Sequence, residues 1–229
     1  MPDSQQPSPP RLDWRSLSGQ AGLDERELRA ACRRRRYRRG DTVFHEGDPA
    51  GPFHLLDIGR VAVRLTTLLG DVSTIDILQP GDTFGEQTLI HGAGDRSATV
   101  VALDRVETLT LDAATFDELG ARNPAVQRFL LMVLSNRLRA TSHQLLEARF
   151  LSAEQRLAHC LSRLAHMFAD ESTDVIPLTQ TDIASMTGVT RSTVNRLLHQ
   201  AAADGTIEIA RGRLRVLDAA RLHHRARTI

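Results

Sequence analysis

The segment FGEQTLIHGAGDRS, residues 84–97, opens on Gly85-Glu86 and closes on Arg96-Ser97. An arginine beside a hydroxyl residue, at a strand start after a glycine-rich turn, can hold a phosphate through charge-assisted hydrogen bonds. Backbone N–H groups of a helix beginning near Gly85 would add an anion-binding surface. Glu86 is an acceptor and suits sugar hydroxyls, not phosphate. One anion plus hydroxyls describes a nucleotide monophosphate; a plain ion pair between Glu86 and Arg96 is the alternative for the same two residues.

A second stretch, LTQTDIASMTGVTRSTVNRLLHQAAADG, residues 178–205, carries a different chemistry. Thr179 can cap a first short helix with Asp182 at its third position, Gly188 supplies a tight turn, and Thr190 can cap a second helix. Val194, Leu197 and Leu198 then face inward and leave Arg191, Ser192, Asn195 and Arg196 more exposed. This spacing predicts a helix-turn-helix, whose second helix enters the DNA major groove by its N-terminal residues. A strand pair, IEIA and RLRVL across Arg211-Gly212, makes it a winged helix-turn-helix. Threonine caps, a central glycine and exposed arginines favour this reading over a plain helical hairpin in an enzyme. Arg191 and Arg196 suit guanine edges, whereas Thr179, Gln180 and Thr193 suit phosphate positioning.

The elements that position these groups follow from periodicity. From Gly40 to Leu111 short alternating strands are separated by Gly and Pro turns, the pattern of a sandwich or jelly roll. A helix is expected around Asp24 to Ala31, and CRRRRYRRG, residues 32–40, reads as a solvated segment entering the first strand. Pro, Ser and Gln crowd residues 1 to about 12, and residues 1–22 are assigned to a disordered N-terminal tail. Asn123-Pro124 starts a long helix with Pro124 in its first turn. Along it Leu131, Leu134, Leu138, Thr141, Leu145 and Ala148 recur at alternating steps of three and four, a seam suited to pairing with another helix. Phe129, Leu130 and Val133 widen the apolar face at its start, toward the β-domain. A further helix spans about Ser152 to Ala169, with Ser152 and Gln155 placed as a capping box.

Composition bounds the function. The 229 residues can bury a core in one large or two modest domains. All 29 basic residues are arginine against 28 acids, a balance that neither demands nor excludes nucleic acid. Cys32 and Cys160 lack CxxC spacing, which points to a reducing compartment and away from an iron–sulfur site. MPDSQQPSPP lacks a signal-peptide pattern, and the longest apolar run, Phe129 to Leu134, is too short for a bilayer. A cytoplasmic protein without a membrane partner is expected. No metal-ligand cluster, P-loop or nucleophile–base pair argues for an enzyme, so neither a metal nor catalysis is expected.

From about Leu23 to Leu217 the chain resembles the Crp/Fnr family of bacterial transcription regulators, through RRGDTVFHEGD, LLDIGRVAV, LQPGDTFGE, DRSATV and GVTRSTVNR in that order. The resemblance implies an α+β architecture: an N-terminal β-roll, jelly-roll-like, that binds cyclic nucleotide (residues 23–123), a dimerisation helix (124–150) and a C-terminal winged helix-turn-helix domain (151–229). Carried over, Glu86 takes the ribose 2′-hydroxyl, and Arg96 with Ser97 holds the cyclic phosphate; Gly85, Gln87 and Arg137 complete the nucleotide's neighbourhood. In the cAMP-responsive subgroup a Thr-Ser pair on the long helix approaches adenine, and Thr141-Ser142 stands there, with Ser142 displaced toward the neighbouring subunit. Thr179, Gln180, Thr190, Arg191, Ser192, Thr193 and Arg196 are the expected DNA-binding set. Two departures stand out. Gln87-Thr88 replaces the small apolar residues common after Gly-Glu, and Ser192 replaces a glutamate, which removes an acceptor for a cytosine amine. The expected protein is a homodimer switched allosterically by cAMP, binding a pseudo-palindromic operator with half-sites about 34 Å apart and contacting RNA polymerase. Its rivals are the same architecture responding to cGMP, to another effector, or to none.

Overall fold

A computed structural model describes residues 12–66, 70–91, 94–169 and 175–227. The chain forms two compact units, one within residues 8–141 and one made chiefly of residues 142–229. The first contains α1 (Trp14–Ala21), α2 (Glu25–Ala31), β1 (Arg33–Tyr37), β2 (Thr42–Phe44), β3 (Phe53–Ile58), β4 (Val61–Thr66), β5 (Val72–Leu78), β6 (Thr83–Phe84), α3 (Gln87–His91), β7 (Thr99–Ala102), β8 (Val106–Leu111) and α4 (Ala113–Arg122). α5 (Ala125–Phe150) runs on from the first unit into the second. Two four-stranded sheets, ordered β1-β8-β3-β6 and β2-β7-β4-β5, make the β-roll.

Strand alternation sorts the side chains into two cores. On β3, Phe53 and Leu55 join Leu109 and Leu111 of β8 beneath α1, α2, α4 and the start of α5, where Phe116, Val126, Phe129 and Val133 complete the cluster. Leu56 points the other way, into the roll, with Val61, Val63, Phe84, Val100 and Val106. His54 shares that inner side: its Nδ1 lies 3.2 Å from Thr108 Oγ1 and its ring stacks on Phe84 at 4.6 Å.

Two expectations are corrected here. The tail assigned to residues 1–22 ends too late. Asp13 accepts a hydrogen bond from Arg15 N and starts α1, whose Trp14 is wholly buried and donates through Nε1 to Leu56 O at 3.3 Å. One amphipathic turn outweighs the polar composition around it; residues 1–11 lie outside the described residues. The arginine run is solvated, with Arg33 to Arg36 exposed, but it is no lead-in, because Arg33–Tyr37 is itself an antiparallel strand on β8. Alternate side chains share a face, so Arg34 and Arg36 both reach the buried Glu107, at 2.6 and 3.2 Å, with Arg105 at 2.9 Å. The Arg34 and Arg105 hydrogen bonds hold the Glu107 carboxyl below the usual carboxylate range. One carboxylate of β8 thus makes an arginine strand tolerable beside it.

The second unit contains α6 (Ala153–Met167), β9 (Val175–Ile176), α7 (Gln180–Thr187), α8 (Arg191–Ala203), β10 (Ile207–Ala210), β11 (Arg213–Val216) and α9 (Ala219–Arg227). Ser152 and Gln155 form a capping box at the start of α6, and Leu157, Leu161, Leu164 and Phe168 are buried along it. β9 adds a strand beyond the expected pair, giving the order β10-β11-β9. α9 carries exposed His223 and His224 and buries Leu222.

Candidate functional site

A cavity of about 320 Å³ opens beside α3 in the first unit, a volume suited to a nucleotide-sized ligand. Gly85, Glu86, Gln87, Arg96, Ser97 and Arg137 all line it. Local geometry explains their convergence. Gly85 turns the chain with φ of 76° between β6 and α3, a left-handed conformation open to glycine without strain. Arg96 is pinned through its backbone to the opposite turn: its N donates to Asp48 O at 2.8 Å, and its O accepts from Gly47 N at 2.9 Å.

Arg96 is the centre of the cavity. Only 7% exposed, its guanidinium lies 4.1 Å over the Phe44 ring. Nη2 donates to Pro52 O at 2.9 Å and Nη1 to Thr88 Oγ1 at 3.3 Å. Two glycines give it room: a Cβ at Gly85 would stand 2.5 Å from Nη1, and one at Gly51 2.8 Å from Nη2. Its Nε is buried with no hydrogen-bond partner. Burial pulls its pKa below the ordinary arginine value, opposed by the nearby Asp48 and Glu86 carboxylates. A desolvated cation whose hydrogen bonds go only to neutral oxygens, with its buried Nε–H unpartnered, calls for an anion.

Glu86 does not pair with Arg96, which removes the plain alternative for these two residues. Its carboxylate is 5% exposed and accepts from Arg137 Nη1 of α5 at 3.4 Å. Apolar Phe44, Val63, Phe84 and Val100 form the remaining wall. The cavity therefore offers a cation, a carboxylate and an apolar surface, the complement of phosphate, hydroxyls and a flat ring. Thr141 and Ser142 are exposed on α5 and do not line this cavity; Thr141 Oγ1 donates to Arg137 O at 3.0 Å. Sequence reasoning missed Phe44, Gly51 and Pro52 as supports of Arg96, and it counted Thr88 as a departure without seeing its bond to Arg96.

The second unit presents the helix-turn-helix. Thr179 and Asp182 form a capping box on α7, with Asp182 N donating to Thr179 Oγ1 at 3.1 Å. Gly188 ends α7 with φ of 61°, and its carbonyl accepts from Arg156 Nη1 at 3.4 Å. Thr190 caps α8 by accepting from Thr193 N at 3.3 Å. Val194, Leu197 and Leu198 are buried, while Arg191, Ser192 and Arg196 are exposed and Thr193 is half-buried. A groove of about 410 Å³ joins Thr179 and Gln180 of α7, Arg191 of α8, and Arg211 and Arg213 of the β10–β11 wing. The two wing arginines were absent from the expected set; their place on either side of Gly212 was the available signal. Among the described residues no group of His, Cys, Asp and Glu is arranged to hold a metal, and no helix is long and apolar enough to cross a membrane.

A cyclic-nucleotide-type cavity on a β-roll, followed by a winged helix-turn-helix, defines a class of effector-regulated DNA-binding proteins. Comparison with known proteins agrees. The family model for the cyclic nucleotide-binding domain matches residues 34–123, and that for the Crp-like helix-turn-helix domain matches residues 155–225. The chain is 32% identical over 189 residues to the cyclic AMP receptor protein of Thermus thermophilus, covering 82% of this chain and 86% of that one. It is 31% identical over 193 residues to a CRP-like cAMP-activated global transcriptional regulator of Mycobacterium tuberculosis, with coverages of 82% and 86%. A solved structure of a CRP/FNR-family transcriptional regulator from Thermus thermophilus superposes with a TM-score of 0.73 at 22% identity, covering 86% of this chain and 99% of that one. The chain belongs to the Crp/Fnr family of transcription regulators, a family of DNA-binding proteins and not of enzymes.

Proposed function

We propose that the protein is a homodimeric cytoplasmic transcription regulator whose binding to a pseudo-palindromic operator is controlled allosterically by cAMP in the β-roll cavity. The observation that carries the ligand is Arg96, whose buried Nε lacks a partner and whose guanidinium sits in a glycine cradle. In this reading Arg96 and Ser97 take the cyclic phosphate, Glu86 takes the ribose 2′-hydroxyl, Gly85 and Gln87 line the cassette, and Arg137 links Glu86 to α5. The cAMP-named relatives support the choice of nucleotide. Residues 124–150 serve as the dimerisation helix. Leu131, Leu138 and Leu145, seven residues apart, are 67%, 69% and 53% exposed on the single chain, an apolar stripe suited to a second copy. Thr141 and Ser142 lie along the same stretch and meet adenine only once that copy is in place.

In the DNA-binding domain, residues 151–229, Arg191, Ser192 and Arg196 face base edges, and Thr179, Gln180, Thr190 and Thr193 position the backbone. RNA polymerase is the further partner. cAMP shifts the equilibrium only by binding the DNA-competent dimer better than the alternative. Isothermal titration of nucleotide-free protein with cAMP and with cGMP tests the effector. The expected result is tighter binding of cAMP; absence of heat with both nucleotides removes the ligand assignment, and preference for cGMP removes the role given to Thr141 and Ser142. Sedimentation of the same sample tests the dimer.

A further inference from the structure

α8 carries a polar side chain outside the expected DNA-binding set. Asn195 follows Arg191 by one turn and Ser192 by three residues, at the edge of the face that buries Val194, Leu197, Leu198 and Ala201. It is half-buried, and its Nδ2 donates a 2.7 Å hydrogen bond to Oε1 of Gln180, the first residue of α7. The bond ties the two helices of the module together at the end that meets DNA.

An unheld asparagine rotates about its last torsion and presents its oxygen and nitrogen in either order. The bond to Gln180 holds the Asn195 amide in place, with Nδ2 toward Gln180. An amide offers two N–H donors and a carbonyl acceptor. One N–H is committed to Gln180, which leaves Asn195 one N–H and its oxygen for a base edge. A major-groove edge that matches this pair must offer one acceptor beside one donor. Adenine does so through N7 and its N6 amine; guanine offers N7 and O6, two acceptors, and leaves the Asn195 oxygen facing an oxygen.

We propose that Asn195 is a specificity-determining residue that reads one adenine in each half-site, and that Gln180 is the positioning residue that holds its amide plane. This rests on the DNA-binding module described above and adds a base and a residue to it.

The test is selected-site sequencing with the full-length protein, with and without cAMP, using wild type, Asn195→Ala, Asn195→Asp and Gln180→Ala. Wild type selects adenine at one position per half-site. N195A loses that preference by about 5- to 150-fold at that position and retains the others. N195D, which keeps the shape but can only accept, shifts the position toward cytosine. Q180A weakens preference at the same position more than at any other, an effect that mere loss of backbone contact would not produce. N195A selecting the wild-type sequence at every position, or losing affinity equally for all sequences, overturns the proposal; where N195A melts early, the same judgement is made on N195D. Wild type that forms no complex with any sequence overturns the DNA-binding reading itself, an outcome distinct from retained binding with unchanged preference.

Discussion

Replacing Gly85 by alanine separates the Arg96 clamp from the fold around it. The new Cβ stands 2.5 Å from Arg96 Nη1, roughly 1 Å inside an ordinary contact. The guanidinium cannot yield without leaving the Pro52 carbonyl at 2.9 Å, the Thr88 hydroxyl at 3.3 Å or the Phe44 face at 4.1 Å. Two costs follow, and they have different readouts. The left-handed backbone, φ of 76°, costs an alanine about 1–2 kcal/mol of stability. For a chain of this size that lowers the melting temperature by about 2–8 °C. Displacing the clamp removes at least one charge-assisted hydrogen bond to the phosphate, worth roughly 1.5–3 kcal/mol, so cAMP affinity falls by about 10- to 150-fold. Gly40→Ala is the matched control: φ there is 88°, but no atom lies within 4 Å of the new Cβ. It should melt early and bind cAMP normally. Calorimetric titration and thermal melting on both variants decide the matter. If G85A binds cAMP no more weakly than G40A, Arg96 is not the phosphate clamp.

Other consequences are as direct. Arg211→Ala or Arg213→Ala should each reduce the salt dependence of DNA affinity by about one phosphate contact, uniformly across sequences; a changed base preference with an unchanged slope would contradict a backbone role for the wing. Trp14→Ala should destabilise the protein by about 3–5 kcal/mol in urea denaturation, whereas a residue in a disordered tail would show no effect. His54 carries a pH dependence. Burial, reinforced by Arg96 and Arg35, draws its pKa from 6.5 down to about 3, so the folded protein resists a proton that the unfolded chain accepts. Stability is therefore full above the unfolded pKa and falls by about 1.4 kcal/mol per pH unit between roughly pH 6 and pH 4. His54→Gln should flatten that limb in urea titrations, and an unchanged slope would place the proton uptake elsewhere.

What the sequence made legible, and what it hid, follows from how a β-roll assembles a site. Gly85-Glu86 and Arg96-Ser97 could be read because turn chemistry and charge concentrate at the ends of one short segment. The caps of α7 and α8 were legible for the same reason: Thr179 with Asp182 and Thr190 with Thr193 act across three residues. The arginine strand was misread because its counter-charge, Glu107, lies over seventy positions away and meets Arg36 only through the β1–β8 register. Trp14 was misplaced because its core partners, Phe53 and Leu55, belong to β3.

The supports of Arg96 show the same rule from the functional side. Phe44 ends β2, Gly51 and Pro52 precede β3, and Thr88 sits in α3; none neighbours Arg96 in sequence, and none has an unusual residue type. Along a strand successive side chains point to opposite faces, so a site residue is flanked by residues that serve the core, and local pattern reports the core. The arginine proposed to grip the phosphate is thereby visible as a charge, while the oxygens and glycines that aim it become visible only through strand pairing. The preorganisation of this cavity lies in those long-range contacts, and substitutions there should alter effector affinity without touching any residue of the recognisable motif.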